Sequence, residues 1–108
     1  MITSASNKSI KNVQALLSKA KERKKQGVFV VEGPKMSFEA PYDWVSAVYM
    51  SESFFNDDRF KEEKKRFIGK TEIVSDPVFK SMSDTQTPQG VLAIVKMPQY
   101  EIDELFKG

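Results

Sequence analysis

The 108-residue chain contains neither cysteine nor histidine. Without cysteine there is no disulfide framework and no thiolate metal site. Without histidine the chain lacks both the commonest general base near neutral pH and the commonest metal ligand. No catalytic residue and no metal site is expected. Glycine is scarce, at five residues, and Gly33-Pro34-Lys35 lacks the second glycine and the Lys-Ser/Thr ending of a phosphate-binding P-loop. No run of about 20 apolar residues is available to span a bilayer, and nothing resembles a signal peptide. A membrane partner is not expected, and the cytoplasm is the expected compartment. Internal repeats and low-complexity segments are lacking too.

What remains is an ordinary globular composition, 40% hydrophobic and 11% aromatic. One domain of this length buries roughly two-thirds of its unfolded surface, enough for a core without covalent staples. The charge, however, is unevenly placed. Residues 1–35 carry eight Lys/Arg against Glu22 and Glu32, a net of +6, while the remainder nets −4. The overall +2 thus hides a polarised molecule whose basic third suits a polyanion, nucleic acid first among them.

The hydrophobic pattern predicts a helix over Lys8 to Gln26, with Ser6 or Asn7 as N-cap and Gly27 just past its end. Ile10, Val13, Leu17 and Ala20 form its apolar face. Val28 to Val31 reads as a strand covered on both faces. Glu32-Gly33-Pro34 breaks it, and Pro34 opens a short helix through Ala40. A second strand is expected at Val45 to Met50, followed by a helical turn from Ser51 or Ser53. Asp57 or Asp58 is placed as the cap of a charged helix to Phe67, which Gly69 ends. Its Lys61, Glu62, Glu63, Lys65 and Arg66 mix both signs, the pattern of a solvated face. Thr71 to Val74 is the third strand, Asp76-Pro77 opens a helix to Met82, and the polar Ser83–Gly90 loop leads into strand Val91–Val95. This alternation predicts a three-layer α/β/α sandwich around a small mixed sheet.

Several residues carry chemistry suited to RNA. Arg23 can fork onto a phosphate or stack on an unpaired base, or serve as a cation at a helix C-terminus. Lys11 and Lys21 suit sequence-independent phosphate contacts, and Lys24 and Lys25 extend the same patch. Asn7 has two roles open to it, helix N-cap and RNA contact. Glu32 is expected to hold the turn by accepting from N–H groups of the next helix. Gly33 is expected to supply a backbone geometry, or a close approach, that a β-carbon would block. Thr87-Pro88-Gln89-Gly90 offers a hydroxyl, an amide and a kinked backbone, able to bind a ribose or a base edge. Phe29, Phe54, Phe55, Phe60, Phe67 and Phe79 are assigned to the core. Tyr42 and Trp44 fit a packing plug and a ligand contact equally.

Asn7, Lys11, the Lys21-x-Arg23 pair, Phe29 and Glu32-Gly33-x-Lys35 resemble the opening of the SpoU-type RNA 2′-O-ribose methyltransferases. Ser83 through Gly90, followed by Val91-Leu92-Ala93-Ile94-Val95, is similar to the motif that closes their substrate-binding domain. The likeness extends over residues 2–100. It departs at Lys8, where the family often has proline, and at Lys35, where it often has an arginine that can fork onto phosphate. The resemblance implies a fold like that of ribosomal-protein-like RNA-binding domains. It implies that residues 1–95 bind RNA, and that 96–108 form a linker toward a catalytic methyltransferase domain outside this sequence. RNA contacts would come from Asn7, Lys11, Lys21, Arg23, Lys35, Thr87 and Gln89, with Glu32, Gly33, Pro88 and Gly90 shaping the turns. The implied partner is structured RNA, ribosomal in class. S-adenosylmethionine is the implied cofactor of the full-length parent and not of this chain, and a homodimer would form through the catalytic domain. Two alternatives stand beside this reading: a free-standing ribosomal or kink-turn-type RNA-binding protein, and a protein-interaction or dimerisation module.

Overall fold

A computed structural model describes residues 1–83 and 88–97. Four strands, β1 (Val28–Glu32), β2 (Val45–Ser51), β3 (Thr71–Val74) and β4 (Val91–Lys96), form one mixed sheet in the order β1-β4-β2-β3. β4 runs antiparallel to both of its neighbours, and β2 and β3 are parallel. The two central strands, β2 and β4, carry long buried runs, because side chains on both of their faces meet helices. β1 lies at an edge, and among its residues only Val28 is buried, so the two-sided burial expected there belongs to β4 instead.

The strand alternation sorts the core into two layers. Leu92 and Ile94 of β4 join Ile10, Val13 and Leu16 of α1 (Lys8–Ser18) and Val78, Phe79 and Met82 of α6 (Asp76–Met82). Val91, Ala93 and Val95 face the other way, onto Phe38 of α3 (Pro34–Glu39), Phe54 of α4 (Glu52–Asn56) and Phe67 of α5 (Lys61–Phe67). Helices cover both faces of the sheet, as the sandwich requires. Val45 and Val48 enter the same layer although they are three residues apart, because a register shift between Val45 and Ala47 absorbs the odd residue. Of the six phenylalanines assigned to the core, Phe54, Phe67 and Phe79 are buried, and Phe29, Phe55 and Phe60 are partly buried against it.

Two helix boundaries differ from the sequence pattern. The first helix is a hairpin: Lys19 adopts an extended backbone (φ −126°, ψ 109°) that separates α1 from α2 (Ala20–Gln26). The break rotates Ala20 out of the apolar face and leaves it exposed, and within α1 it is Leu16 that enters the core while Leu17 is only half-buried. α5 starts at Lys61 with no side-chain cap: its N-cap is Phe60, which has no acceptor to offer and holds a left-handed conformation (φ 57°). That strain, rare for an aromatic residue, is offset by packing of the Phe60 ring 5.5 Å from Phe38 and 6.0 Å from Phe54.

Asp57, expected as a cap, is instead a charge hub. Its carboxylate accepts from Arg59 Nη2 at 2.8 Å and from Lys64 Nζ at 2.8 Å, and Lys64 is only 7% exposed. Nζ of Lys64 also lies 4.6 Å from the centre of the Phe54 ring, a favourable place for a cation. The Arg59 guanidinium and then the Lys64 ammonium hold the Asp57 carboxyl well below the usual carboxylate range, and hydrogen bonds from Ser53 lower that of Asp76. A carboxyl lowered in the folded state contributes stability above its unfolded pKa of about 3.9, and that contribution fades as pH falls through the folded value. The melting temperature is therefore expected to drop between pH 5 and pH 2, and Asp57→Asn to shrink that drop. Equal drops in parent and variant would place the acid sensitivity elsewhere.

Candidate nucleic-acid interface

The α1–α2 hairpin carries seven of the seventeen Lys/Arg against a single acidic residue, Glu22. Asn7 caps α1, its Oδ1 accepting from the Ser9 amide at 2.8 Å, so the capping role is filled. Lys11, Lys21, Lys24 and Lys25 are exposed, and none forms an ion pair among the described residues. Gly27 ends α2 in the left-handed region (φ 68°), which a residue without a β-carbon adopts at little cost.

Arg23 is half-buried inside the hairpin. Its Nη1 donates to the Leu16 carbonyl at 2.6 Å and to the Leu17 carbonyl at 3.3 Å, satisfying acceptors that the end of α1 leaves open. Nε and Nη2 have no partner among the described residues, and the side chain lines a shallow groove with Lys21, Lys24 and Met97. The structural role is therefore filled, and half of the guanidinium fork remains free. Arg23→Lys is expected to lower stability by about 1 kcal/mol, since a lysine cannot reproduce both carbonyl contacts. A thermal melt checks this; an unchanged melt would make the hairpin contacts dispensable.

The second group gathers where β1 ends and β4 begins. Gly33 (φ 93°, ψ 156°) caps α3 with no side-chain hydrogen bond, and its N–H donates to the Val91 carbonyl at 2.9 Å. A β-carbon built there would stand 3.0 Å from Gln89 Oε1, so both reasons anticipated for a glycine hold. Glu32 holds the turn through a different partner than expected: its Oε1 accepts from the Ser83 hydroxyl at 3.0 Å, tying the turn to the end of α6. Gly90 (φ 90°) passes so close to α4 that a β-carbon would lie 2.7 Å from Phe54 Cβ. Pro88 and Gly90 line a small pocket with Ser51, Ser53, Asp76 and Lys80, whereas Gln89 lies against Gly33. Thr87 lies outside the described residues.

Lys35 and Gln89 open onto a cleft of about 880 Å³ between α3 and α5, walled by Phe38, Phe60, Glu62, Glu63 and Arg66. Arg66 and the two carboxylates read in sequence as a solvated face. Their place in the cleft comes from the packing of α5 against α3, which no short-range pattern encodes. The expected contact residues thus divide. Lys21 and Arg23 flank Met97, which follows β4, while Lys35 and Gln89 sit at its start. Gln89 and Met97 are roughly 25 Å apart by strand rise.

A family described as MRM3-like substrate binding domain matches residues 7–93, the span that holds both groups. The chain belongs to that family. Solved structures share the fold of this substrate-binding domain. An rRNA methyltransferase from Sinorhizobium meliloti superposes with a TM-score of 0.70 at 21% identity, over 89% of this chain and 36% of its own. A structure described as an RNA 2′-O ribose methyltransferase gives 0.66 at 25% identity, over 91% of this chain and 38% of its own. The SpoU methyltransferase AviRb from Streptomyces viridochromogenes, solved with AdoMet, gives 0.64 at 24% identity, over 85% and 36%. The chain spans a little over a third of the length of these three enzymes. No curated protein is similar enough to count as a relative. The resemblance to the substrate-binding domain of SpoU-type enzymes, seen first in the two sequence motifs, is borne out. β4 includes Lys96, the first residue of the expected linker, and residues 98–108 lie outside the described part. Among the described residues no group of acidic side chains could hold a metal ion, and no helix is long and apolar enough to cross a membrane.

Proposed function

We propose that this domain grips a structured RNA, ribosomal in class, and presents a ribose 2′-hydroxyl to a catalytic domain of the same parent protein. The observation that carries the reading is the family match across residues 7–93. The exposed lysines of the α1–α2 hairpin supply the physical means, since phosphate contacts position an RNA without reading its sequence. Contacts from both ends of β4 would engage a backbone segment of several nucleotides, which favours a folded RNA over a short single strand. S-adenosylmethionine would be held by the catalytic domain, with this chain supplying substrate grip alone. The same reading makes the parent a cytoplasmic enzyme that dimerises through its catalytic domain.

Fluorescence anisotropy with fragments of large-subunit ribosomal RNA tests the proposal, with an acidic protein and a duplex DNA of equal charge as competitors. Ribosomal RNA fragments are expected to bind at least tenfold tighter than either competitor. Tighter binding to the acidic protein would favour a protein-interaction module and overturn the RNA reading.

A further inference from the structure

The cleft between α3 and α5 combines features that a phosphate site would not have. Its volume of about 880 Å³ lies within the roughly 300–1,000 Å³ usual for small-molecule sites. Its rim holds three carboxylates, Glu39, Glu62 and Glu63, against two cations, Lys35 and Arg66. None of the three carboxylates forms an ion pair among the described residues. Arg66 is partly committed, with Nη2 donating to the Phe38 carbonyl at 2.7 Å and the guanidinium 4.8 Å from the centre of the Phe67 ring. The local charge is thus −1, and like-charge repulsion works against an incoming phosphate.

The same walls suit the uncharged part of a nucleotide. Phe38 and Phe60 supply apolar surface, and Gln89 places an amide, both donor and acceptor, at one side. Free carboxylates accept from N–H groups. A nucleobase turned out of its stack offers such donors on its Watson–Crick edge. Guanine presents N1–H and N2–H₂ side by side, a pair that one carboxylate can accept as a fork. Uracil presents a single N3–H between two carbonyl oxygens, which carboxylates repel. Lys35, at the mouth, is placed for the phosphate attached to such a base.

We propose that the α3–α5 cleft, lined by Phe38, Phe60, Glu62, Glu63 and Gln89, receives an unpaired nucleobase with amine donors on its Watson–Crick edge, guanine before the others. The proposal rests on the RNA-binding reading and deepens it: the hairpin lysines grip the backbone, and the cleft checks the base.

Amide chemical-shift mapping of the ¹⁵N-labelled chain tests this, with GMP, UMP and inorganic phosphate each titrated to millimolar concentration. GMP is expected to shift the amides of Lys35, Phe38, Glu62, Glu63 and Gln89, with an affinity at least threefold above that of UMP. Phosphate should leave the amides of Phe38, Glu62, Glu63 and Gln89 in place. Glu62→Gln combined with Glu63→Gln should weaken GMP at least threefold while the chain still gives the dispersed spectrum of a folded protein. Equal shifts from phosphate, equal affinity for UMP, or a GMP response confined to Lys21, Arg23 and Lys24 would overturn the cleft assignment. If structured RNA binds but its shifts spare the cleft, this inference falls and the RNA reading stands. If structured RNA does not bind, both fall.

Discussion

Raising monovalent salt from 50 to 200 mM is expected to weaken binding to a structured RNA by about 100-fold. Some four lysine–phosphate contacts would each contribute on the order of 0.7–0.9 log units per log unit of salt. The expectation follows from Lys11, Lys21, Lys24 and Lys25, exposed on one helical hairpin with no acidic side chain paired to them among the described residues. Lysines already paired to carboxylates would neutralise fewer phosphates and so release fewer of the counterions condensed on the RNA. Replacing Lys21, Lys24 and Lys25 together by alanine should lower the slope of log affinity against log salt by about 2–3. The fold should survive, since exposed substitutions are usually worth within about 0.5 kcal/mol each. Lys35→Ala, at the far end of β4 beside three carboxylates, should lower the slope by no more than about 1. A triple variant with the parent's slope would remove the hairpin from the RNA interface.

Gly90→Ala is the single substitution expected to damage the fold most. The added β-carbon would meet Phe54 Cβ at 2.7 Å and Ser51 Oγ at 3.0 Å, and φ is +90°. Neither neighbour can swing aside. Phe54 is buried, and the Ser51 hydroxyl caps α4 by accepting from the Phe54 amide at 3.1 Å. The Ser51 amide in turn donates to the Gly90 carbonyl at 2.8 Å, so a shift of the backbone would break that contact. Overpacking and left-handed strain together should cost about 3–4 kcal/mol. Gly33→Ala makes a sharp comparison. Its φ is +93°, but the nearest atom to the added carbon belongs to the free end of Gln89. It should cost about 1–3 kcal/mol, largely backbone strain, and displace Gln89 from its place in the cleft. Urea denaturation of the two variants checks the order. A Gly33→Ala variant less stable than Gly90→Ala would mean that the Gln89 contact is as rigid as the core.

Short-range features were legible before any tertiary structure. Asn7 as an N-cap, Gly27 as a left-handed C-cap, Pro34 at a helix start and Ser51 as the cap of α4 all concern groups within three or four residues of one another. The pairing of the Glu32–Lys35 turn with the Pro88–Gly90 segment was not legible, because no local pattern joins positions more than fifty apart. The break at Lys19 was not legible. Lysine is a good helix former, and the hairpin is held by Arg23 reaching back to two carbonyls and by Gln26 Nε2 donating to Asn12 Oδ1 at 2.8 Å. The αL conformation of Phe60 was hidden for the same reason: its compensation comes from Phe38 and Phe54.

The sequence by itself determined the balance of charge between the two parts of the chain, the order of helices and strands, and the absence of thiol and imidazole chemistry. These depend on residue identity and on interactions within a helical turn or along a strand. Tertiary structure alone decided that β4, last of the described strands, inserts between β1 and β2, and therefore that Gln89 meets Gly33 while Met97 lies beside Lys21 and Arg23. It also decided that the mixed charges of α5 face Lys35 across a cleft. The free energy behind these choices comes from burying apolar faces of segments far apart in the chain, an effect proportional to area and indifferent to sequence separation.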